Sequence, residues 1–370
     1  MQLATMLCGV MVGCGVMWGV LPAVGRAETL KEAYAKDFLI GAALGGNVQK
    51  TYTAKELALI EEQFNAVTPE NCMKPGPVHP AEKTWKFEQA DSLVAFAQRN
   101  QMQVFGHTLV WHQQTPEWFF KDGEKAATRE VALRRLKQHI EALVGRYKGK
   151  IRGWDVVNEA LSDKPEEFLR DTPWLRVVGE DYISQAFRMV HEADPKAELQ
   201  YNDYGIESPV KRKKAVKLVK SLLAEGVPIT SVGIQGHWQL DHVPLQNIED
   251  AMKEFRALGV KVAITELDLD VLPRQAEGAD VGAKEKASAE LERVKACPPE
   301  VLQRQAEQYH QLFVLFKKHK ADLVRVSFWG VNDAHTWLNG WPIKRYNHPL
   351  LFDRESKPKP ALDAVLSAAR

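Results

Sequence analysis

The chain has 370 residues, 45% of them hydrophobic and 26% charged, and 49 Lys plus Arg nearly balance 48 Asp plus Glu. So much apolar material with a net charge of only +1 predicts an ordinary globular protein and excludes intrinsic disorder. The charge balance also argues against nucleic acid as a partner, because proteins that bind it usually carry a basic excess.

The chain begins with an apolar segment. Residues 3–24 carry no charge, and the small-x-small triplet Gly25-Arg26-Ala27 follows. This pattern predicts a signal peptide over residues 1–27, cleaved near Ala27, and therefore a secreted or periplasmic protein. The apolar run is long enough to span a bilayer and no basic residue precedes it, so an uncleaved membrane anchor is the alternative. Residues 28–370 are then the catalytic domain.

Eight short runs rich in β-branched and apolar residues predict strands in the remainder of the chain. In order they are Phe38–Leu44, Ala66–Pro69, Val104–Val110, Ile151–Val157, Glu198–Tyr201, Ser231–Ile234, Val260–Ile264 and Leu323–Phe328. Amphipathic stretches between them predict helices at Glu88–Arg99, Glu130–Tyr147, Asp181–Ala193, Lys211–Ala224, Asn247–Leu258 and Val301–Lys320. This alternation is typical of βα units around a parallel sheet. Eight units without a dividing linker predict an α/β protein, a single (β/α)8 TIM barrel.

Three further features give predictions about loops and thiols. The polar stretch Pro273–Lys295 is expected to be a long loop after the seventh strand, which either extends the active-site cleft or forms an exposed helix. The basic run Lys211–Lys214 opens a predicted helix and is expected to be a solvated face. Cys72 and Cys297 are expected to be unpaired, although an oxidising compartment would allow them to pair.

Polar or aromatic side chains stand at the C-terminal end of every predicted strand, where barrel enzymes place their active sites. Strand by strand they are Asn47; Glu70, Asn71 and Lys74; His107, Trp111 and His112; Asn158 and Glu159; Asn202, Asp203 and Tyr204; Gln235 and His237; Glu266 and Asp268; and Trp329, Asn332 and Asp333. A single such residue is usually part of a surface loop, but agreement at all eight ends predicts an active site. His107 and His112 fall on opposite faces of a strand end, so neither a metal nor another cofactor is expected.

Two carboxylates on facing strands, without a metal motif, favour cleavage of a glycosidic bond. Glu159 follows the fourth strand and Glu266 the seventh. His237 beside Glu266 would favour its ionised form, and Asp268 would fix the tautomer of His237. Glu159, as the acid, would need a raised pKa to hold its proton near neutral pH.

These residues lie in motifs that resemble glycoside hydrolase family 10, the endo-β-1,4-xylanases. The resemblance is strongest in Trp154–Glu159 and Ile264–Asp268, and continues through Thr68–Lys74, Gly106–His112, Gly233–His237, Phe328–Asp333 and Trp337. It implies a retaining endo-1,4-β-xylanase that hydrolyses xylan by double displacement. In that mechanism Glu159 would be the acid/base and Glu266 the nucleophile.

The resemblance also implies how substrate is bound. Asn47, Glu70 and Asn71 would bind the second sugar; Lys74, His107, Asn158, Gln235 and His237 the sugar at the cleavage point; Trp111, Trp329 and Trp337 would wall the cleft; and Tyr204 would stack on the leaving-group side. Trp329 and Trp337 would fill the space of a hexose hydroxymethyl group and so select xylan over cellulose. The expected partners are therefore xylan and xylo-oligosaccharides, bound by a monomer that needs no membrane beyond the alternative anchor.

Two other functions remain open from the sequence. A related barrel glycosidase acting on β-glucan or mannan is disfavoured by Trp329 and Trp337, and activity on those polymers would support it. A catalytically silent carbohydrate-binding protein is disfavoured because Glu159 and Glu266 are both present with Asn158 and His237. Binding without hydrolysis would support this second alternative.

Overall fold

A closed barrel of parallel strands forms the centre of the molecule. The computed structural model describes residues 28–272, 279, 280, 282 and 297–370. The eight strands are β1 (Leu39–Leu44), β2 (Ala66–Pro69), β3 (Gln103–Val110), β4 (Gly153–Asn158), β5 (Glu198–Asp203), β6 (Ser231–Ile234), β7 (Lys261–Asp270) and β8 (Leu323–Phe328). Strands consecutive in the chain are neighbours in the sheet, and β8 pairs with both β7 and β1. The predicted (β/α)8 TIM barrel is confirmed.

Helices surround the barrel and connect its strands. The longer ones are Ala54–Gln63, Glu88–Arg99, Arg129–Arg146, Tyr182–Ala193, Pro209–Ala224, Leu245–Ala257, Pro299–Lys318 and Pro360–Ala368. Short helices lie at Leu30–Ala33, Val48–Thr51, Pro75–Val78, Pro173–Val178, Glu117–Phe119, Leu240–His242 and Trp337–Asn339, and further strand segments at Lys121–Asp122, Lys125–Ala126 and His237–Gln239. In the described part of the chain, every helix is too short or too polar to cross a membrane.

The core lies between the barrel and its helices, and continues inside the barrel. The helix Tyr182–Ala193 shows how the sequence builds it, because Ile183, Phe187 and Val190 fall on one helical face and are all buried. Adjacent strands approach closely where a side chain is missing. At Gly106 on β3, an added Cβ atom would lie 2.2 Å from the ring of Trp154 on β4. The Trp154 ring therefore packs directly on the backbone of β3, because Gly106 has no side chain.

The largest difference from the predicted elements is the length of β7. The predicted strand ends at Ile264, whereas the observed one continues to Asp270. Its C-terminal half pairs in parallel with His237–Gln239. Glu266 and Asp268 therefore lie within a strand rather than beyond it. The other predicted strands and helices differ from the observed ones by a few residues at their ends.

The basic run is only partly solvated, so the prediction of a solvated face is wrong for two of its residues. Lys211 and Lys214 are 6% and 9% exposed. The Nζ atom of Lys211 lies 2.8 Å from Asp163 and 2.9 Å from Asp203, while Lys214 donates to backbone carbonyl groups of the loop after β4. These lysines are buried because acceptors from other elements surround their ammonium groups.

Two predicted segments fall wholly or mostly outside the residues that the structure describes. The predicted leader, residues 1–27, lies outside the described residues, as does nearly all of Pro273–Lys295. Cys72 and Cys297 are described, and both are free.

Candidate active site

A small cavity at the C-terminal end of the barrel lies between Glu159 and Glu266, each only 4% exposed. Its volume of about 40 Å³ holds roughly three water molecules at 10–15 Å³ each. It is lined by Lys74, His107, Trp111, Asn158, Glu159, Gln235, His237, Glu266, Ala279, Trp329 and Trp337. Residues predicted from six different strand ends thus meet at one point.

Glu159 is placed to act as an acid. Its carboxyl group accepts hydrogen bonds from Trp111 Nε1 at 2.7 Å and from Gln235 Nε2 at 3.0 Å. Burial raises its pKa to about 7, with help from the negative charge of Asp203, and the two hydrogen bonds only partly oppose this rise. A carboxyl group that keeps its proton near neutral pH can protonate a leaving group.

Glu266 has surroundings of the opposite kind. One carboxylate oxygen lies 3.1 Å from His237 Nε2, and the other accepts a hydrogen bond of 2.7 Å from Asn202 Nδ2. Burial alone would raise the pKa of Glu266, but the His237 hydrogen bond and nearby positive charge outweigh it, and the pKa is lowered. The carboxylate is therefore ionised and able to attack an electrophilic carbon.

His237 is held between two carboxylates. Its Nδ1 atom lies 2.9 Å from Asp268 Oδ2, which also accepts a hydrogen bond of 2.8 Å from Trp337 Nε1. Burial disfavours the charged imidazolium, yet the negative charges of Asp268 and Glu266 outweigh burial and raise the pKa of His237 to about 9. His237 is thus a cation at neutral pH that donates to both carboxylates.

Lys74, His107 and Trp329 form the opposite wall of the cavity. The Lys74 ammonium group lies 4.8 Å from the centre of the Trp111 ring, and burial lowers its pKa. His107 Nδ1 is 2.9 Å from Asp155 Oδ2, so Nε2 is the ring nitrogen available to a ligand. The Trp329 ring stands edge-on to His107 at 5.3 Å between ring centres. This wall combines a cation, a fixed imidazole and a flat apolar surface, which suits a sugar ring.

The residues predicted for the second sugar lie outside this cavity but are linked to it. Asn71 Oδ1 accepts a hydrogen bond of 3.0 Å from Lys74, and Asn71 Nδ2 donates to Glu70 at 3.2 Å. Burial raises the pKa of Glu70. Asn47 stands at the start of the helix Val48–Thr51 and accepts a hydrogen bond from Ser92.

Tyr204, which was expected to stack on the leaving group, is also not part of the cavity lining. Its side chain is 5% exposed, and its hydroxyl group donates to Asp163 Oδ2 at 2.6 Å and accepts from Arg170 at 2.7 Å. The Lys211 ammonium group lies 3.7 Å from its ring centre. Tyr204 therefore belongs to a buried polar network beneath the loop after β4.

Asn202 contacts the predicted nucleophile, although no role was predicted for it from the sequence. Its Nδ2 atom donates to Glu266 and lies 2.9 Å from the amide of Asn158. Thr265 Oγ1 donates to Asn202 Oδ1 at 2.7 Å and so fixes which way the amide faces. The only signal in the sequence was its place at the end of a predicted strand.

The described part of the loop after β7 reaches across the barrel mouth. Gln113 Nε2, beyond the end of β3, donates to Asp280 Oδ1 at 2.8 Å. Trp341 Nε1, beyond the end of β8, donates to the Asp280 carbonyl oxygen at 3.2 Å. In a ring of eight strands β7 and β3 are four places apart, and therefore opposite. Asp280 thus bridges opposite sides of the mouth, next to Ala279 in the cavity lining.

The arrangement pairs a protonated carboxyl group with an ionised carboxylate across one small cavity, which is the equipment for hydrolysing a glycosidic bond. Within residues 28–272, 279, 280, 282 and 297–370, no cluster of three or more His, Cys, Asp or Glu is placed to hold a metal ion. The candidate chemistry is carried by carboxyl, imidazole and amide groups.

Comparison with known proteins gives consistent matches over nearly the whole chain. The family model described as glycosyl hydrolase family 10 matches residues 29–368. A β-1,4-xylanase of Dictyoglomus thermophilum is 45% identical over 334 residues, which is 90% of this chain and 89% of the relative. The crystal structure of xylanase XynB from Paenibacillus barcinonensis, in complex with a conduramine derivative, has a TM-score of 0.85 at 42% identity and covers 92% of this chain and 98% of that one. A mutant solved with xylotriose has a TM-score of 0.83 at 38% identity, with coverages of 91% and 99%.

Proposed function

Because the chain belongs to glycosyl hydrolase family 10, we propose that it cuts internal bonds of xylan with retention of configuration. The comparison with its relatives identifies it as a glycoside hydrolase of the endo-1,4-β-xylanase type. The observation that carries the proposal is the opposite ionisation of Glu159, with its pKa raised to about 7, and Glu266, with its pKa lowered. These states are the ones that an acid and a nucleophile need before the first step.

In the first step, the Glu266 carboxylate attacks the anomeric carbon of the sugar at the cleavage point. The bond from that carbon to the leaving oxygen breaks, and the oxygen takes the proton of Glu159. The product is a glycosyl ester on Glu266 and a shortened chain with a free hydroxyl group. The hydrogen bonds from His237 and Asn202 weaken as the negative charge on Glu266 is consumed.

In the second step, water attacks the same carbon from the side that the leaving chain vacated. Glu159, now a carboxylate, takes a proton from that water, and the ester bond to Glu266 breaks. The switch from acid to base follows from the charges, because the negative charge of Glu266 is one of the causes that raise the pKa of Glu159. Once Glu266 is esterified that cause is gone, so the pKa of Glu159 falls.

The substrate contacts follow from the walls of the cavity. Lys74, His107 and Asn158 present polar groups to the hydroxyl groups of the reacting sugar. Trp329 and Trp337 fill the space into which a hexose would project its hydroxymethyl group, so xylan is preferred over glucan and mannan. Glu70, Asn71 and Asn47 bind the next sugar toward the non-reducing end.

Product analysis of the purified chain tests the proposal. Glucuronoxylan, carboxymethyl cellulose and mannan are incubated in parallel, and the anomeric form of the first products is followed by NMR. Xylo-oligosaccharides of several lengths from xylan alone, released as the β-anomer, are expected. Cleavage mainly of a hexose polymer, binding without hydrolysis, or release of the α-anomer would overturn it.

Two variants test the residue roles. Glu266→Gln is expected to abolish turnover of every substrate, because it removes the attacking carboxylate. Glu159→Ala is expected to slow xylan cleavage by roughly 10²–10⁴-fold, the usual contribution of a general acid, but to spare formation of the intermediate from aryl xylosides with good leaving groups. Equal losses on both substrates would show that Glu159 is not the acid.

We propose further that residues 1–27 direct export and that the enzyme acts as a monomer. Support for export comes from the uncharged run and the small-x-small triplet that ends at Ala27. Protein recovered from the periplasm or medium of the producing cell is expected to begin near Glu28, whereas an intact N-terminus in the membrane fraction would identify an anchor. Light scattering of the processed chain is expected to give the mass of one copy.

A further inference from the structure

The backbone of Glu159 adopts a conformation that its residue type disfavours. Its φ angle is +56°, in the left-handed region that side chains other than glycine rarely occupy. The Glu159 N–H group donates to the Asn202 carbonyl at 2.9 Å, and the Glu159 carbonyl accepts from Arg170 Nε at 3.2 Å. Such a strained residue persists only where neighbouring contacts hold it. The groups that bind this turn therefore determine the conformation of Glu159.

The next two residues of the turn are held by one hydroxyl group. The N–H groups of Ala160 and Leu161 both donate to the Tyr201 hydroxyl oxygen, at 3.1 and 3.2 Å. The same hydroxyl donates its proton to Asp203 Oδ2 at 2.6 Å. A phenol oxygen has one proton and two lone pairs, so these bonds satisfy it completely.

The Tyr201 hydroxyl is also held in place through Asp203 and Lys211. Tyr201 and Asp203 are both fully buried, and the second oxygen of Asp203 binds the Lys211 ammonium group at 2.9 Å. The chain of contacts therefore runs from Lys211 through Asp203 and Tyr201 to the backbone that follows Glu159. On the nucleophile side, the hydrogen bonds to Glu266 come from Asn202 and His237, and Tyr201 makes neither of them.

We propose that Tyr201 is a positioning residue for the acid/base: its hydroxyl holds the turn after β4 in the left-handed conformation that aims the Glu159 carboxyl group at the leaving oxygen. The proposal rests on the proposed function, in which Glu159 protonates that oxygen. Without the hydroxyl, two buried N–H groups next to Glu159 lose their acceptor and the strained turn relaxes. Proton donation suffers from such a shift, whereas attack by Glu266 does not.

The test compares leaving groups in the purified full chain carrying Tyr201→Phe. Values of kcat/KM are measured for xylan and for aryl xylobiosides whose phenols range from acidic to weakly acidic. We expect a loss of roughly 10–100-fold for xylan and the weakly acidic phenols, part of the 10²–10⁴-fold that general acids supply. A dinitrophenyl leaving group needs no protonation, so its kcat/KM should change by less than about twofold.

Tyr34→Phe is the matched control. Tyr34 is also fully buried, and its hydroxyl donates to the Val365 carbonyl at 2.7 Å, far from the cavity lining. Its substitution removes one buried tyrosine hydrogen bond and should change the rates on all substrates by the same small factor. Circular dichroism and thermal unfolding of each variant ensure that rates are compared at temperatures where both are folded.

A second variant separates the hydroxyl from the charge behind it. Asp203→Asn keeps an oxygen that can accept from Tyr201 but removes a charge that raises the pKa of Glu159, so its high-pH limb should move to lower pH. Below that limb, where Glu159 still holds its proton, the ratio of xylan to dinitrophenyl xylobioside rates should stay within about twofold of the parent. If Asp203→Asn reproduces the loss seen in Tyr201→Phe, the buried charge and not the hydroxyl is responsible, and the proposal fails. A loss in Tyr201→Phe that is equal for all leaving groups, or no loss on xylan, also overturns it. Failure of the parent chain to cleave xylan would instead overturn the proposed function.

Discussion

Glu159 and Glu266 are the same residue type, equally buried, and yet have opposite pKa shifts. The difference comes from their neighbours. Glu159 has a nearby anion, Asp203, whereas Glu266 has a cation, His237, within hydrogen-bonding distance. The roles of two chemically identical side chains are thus assigned by one charge on each side of the cavity.

This contrast predicts the pH dependence of kcat/KM on xylan. The proposed mechanism requires Glu266 ionised and Glu159 protonated, so activity should fall at high pH with an apparent pKa of about 7, when Glu159 loses its proton. At low pH it should fall only below the ordinary range of a glutamate, because the pKa of Glu266 is lowered. Initial rates across this range are the measurement, and the parent chain assayed on a dinitrophenyl xylobioside, whose leaving group needs no proton, should lack the high-pH limb. A high-pH limb that persists on that substrate would assign it to a group other than Glu159.

Asp268→Asn tests the low-pH limb separately. Asp268 is the chief cause that raises the pKa of His237 to about 9. With a neutral amide in its place the pKa of His237 falls, Glu266 loses part of its cationic neighbour, and the pKa of Glu266 rises. The low-pH limb of kcat/KM should move up by about one pH unit, the equivalent of about 1.4 kcal/mol. An unmoved limb would mean that the charge of His237 does not control Glu266.

At the scale of the elements, the close approach of β5, β6 and β7 depends on a missing side chain. An added Cβ atom at Gly233 on β6 would lie 2.4 Å from Asn202 Oδ1 and 2.8 Å from Thr265. These two side chains form the hydrogen bond that orients Asn202 toward Glu266. The glycine therefore makes room for a contact that supports the nucleophile.

Gly233→Ala should consequently reduce activity more than stability alone explains. Displacing Asn202 removes a hydrogen bond to a charged carboxylate, worth about 1.5–3 kcal/mol, so kcat/KM should fall by roughly 10–100-fold. Gly145→Ala is the control, because it lies in the helix Arg129–Arg146 with no atom within 4 Å of the new Cβ. It should stabilise the fold by about 0.5–1 kcal/mol without changing kcat/KM. Steady-state kinetics and urea unfolding of both variants decide the matter.

The length of β7 shows where sequence reasoning stops. The segment from Glu266 to Asp270 alternates acidic and leucine residues, and the predicted strand stopped before it, at Ile264. Each of its acidic residues is buried because a partner arrives from a distant element. Asp270, for example, accepts hydrogen bonds of 2.6 Å from both Arg345 and Asn347. Partners more than seventy residues away leave no local pattern.

At the scale of the whole molecule, the strand order and the end of the barrel that carries the site were predictable, because alternation and strand-end polarity are local properties of the sequence. The sequence did not predict how deeply each of these side chains is buried or which of them face the cavity. The hydrogen bonds of Tyr204 with Asp163 and Arg170 were not predicted, and Asn202 was left without a role although it touches Glu266. Which strand-end residue faces the cavity depends on packing between several loops, and those loops are distant in sequence.

The ends of the described chain meet at one side of the barrel. The helix Pro360–Ala368 buries Leu362 and Val365 in the core, and the Tyr34 hydroxyl bonds to its backbone. Removing residues 360–370 exposes apolar surface that the last helix covers. Loss of Leu362 and Val365 alone should cost about 3–6 kcal/mol, a large share of the 5–15 kcal/mol that stabilises a typical domain. Thermal unfolding should show a strongly lowered midpoint, and an unchanged midpoint would show that this helix is dispensable.

The hydrogen bonds of Asp280 across the barrel mouth bear on the route by which long polymer substrates enter the cleft. A polymer cut at an internal bond enters an open trough sideways, whereas a passage closed overhead admits only a free chain end that threads through it. We expect the contact of Asp280 with Gln113, which crosses the mouth, to hinder sideways entry, so that it has to break when the middle of a xylan chain is engaged. Asp280→Ala should therefore raise kcat/KM on long xylan several-fold while leaving xylotriose nearly unaffected, and competition between the two substrates in one assay would measure it. On that expectation, one side-chain contact across the mouth influences whether intact polymer or short fragments are cleaved first.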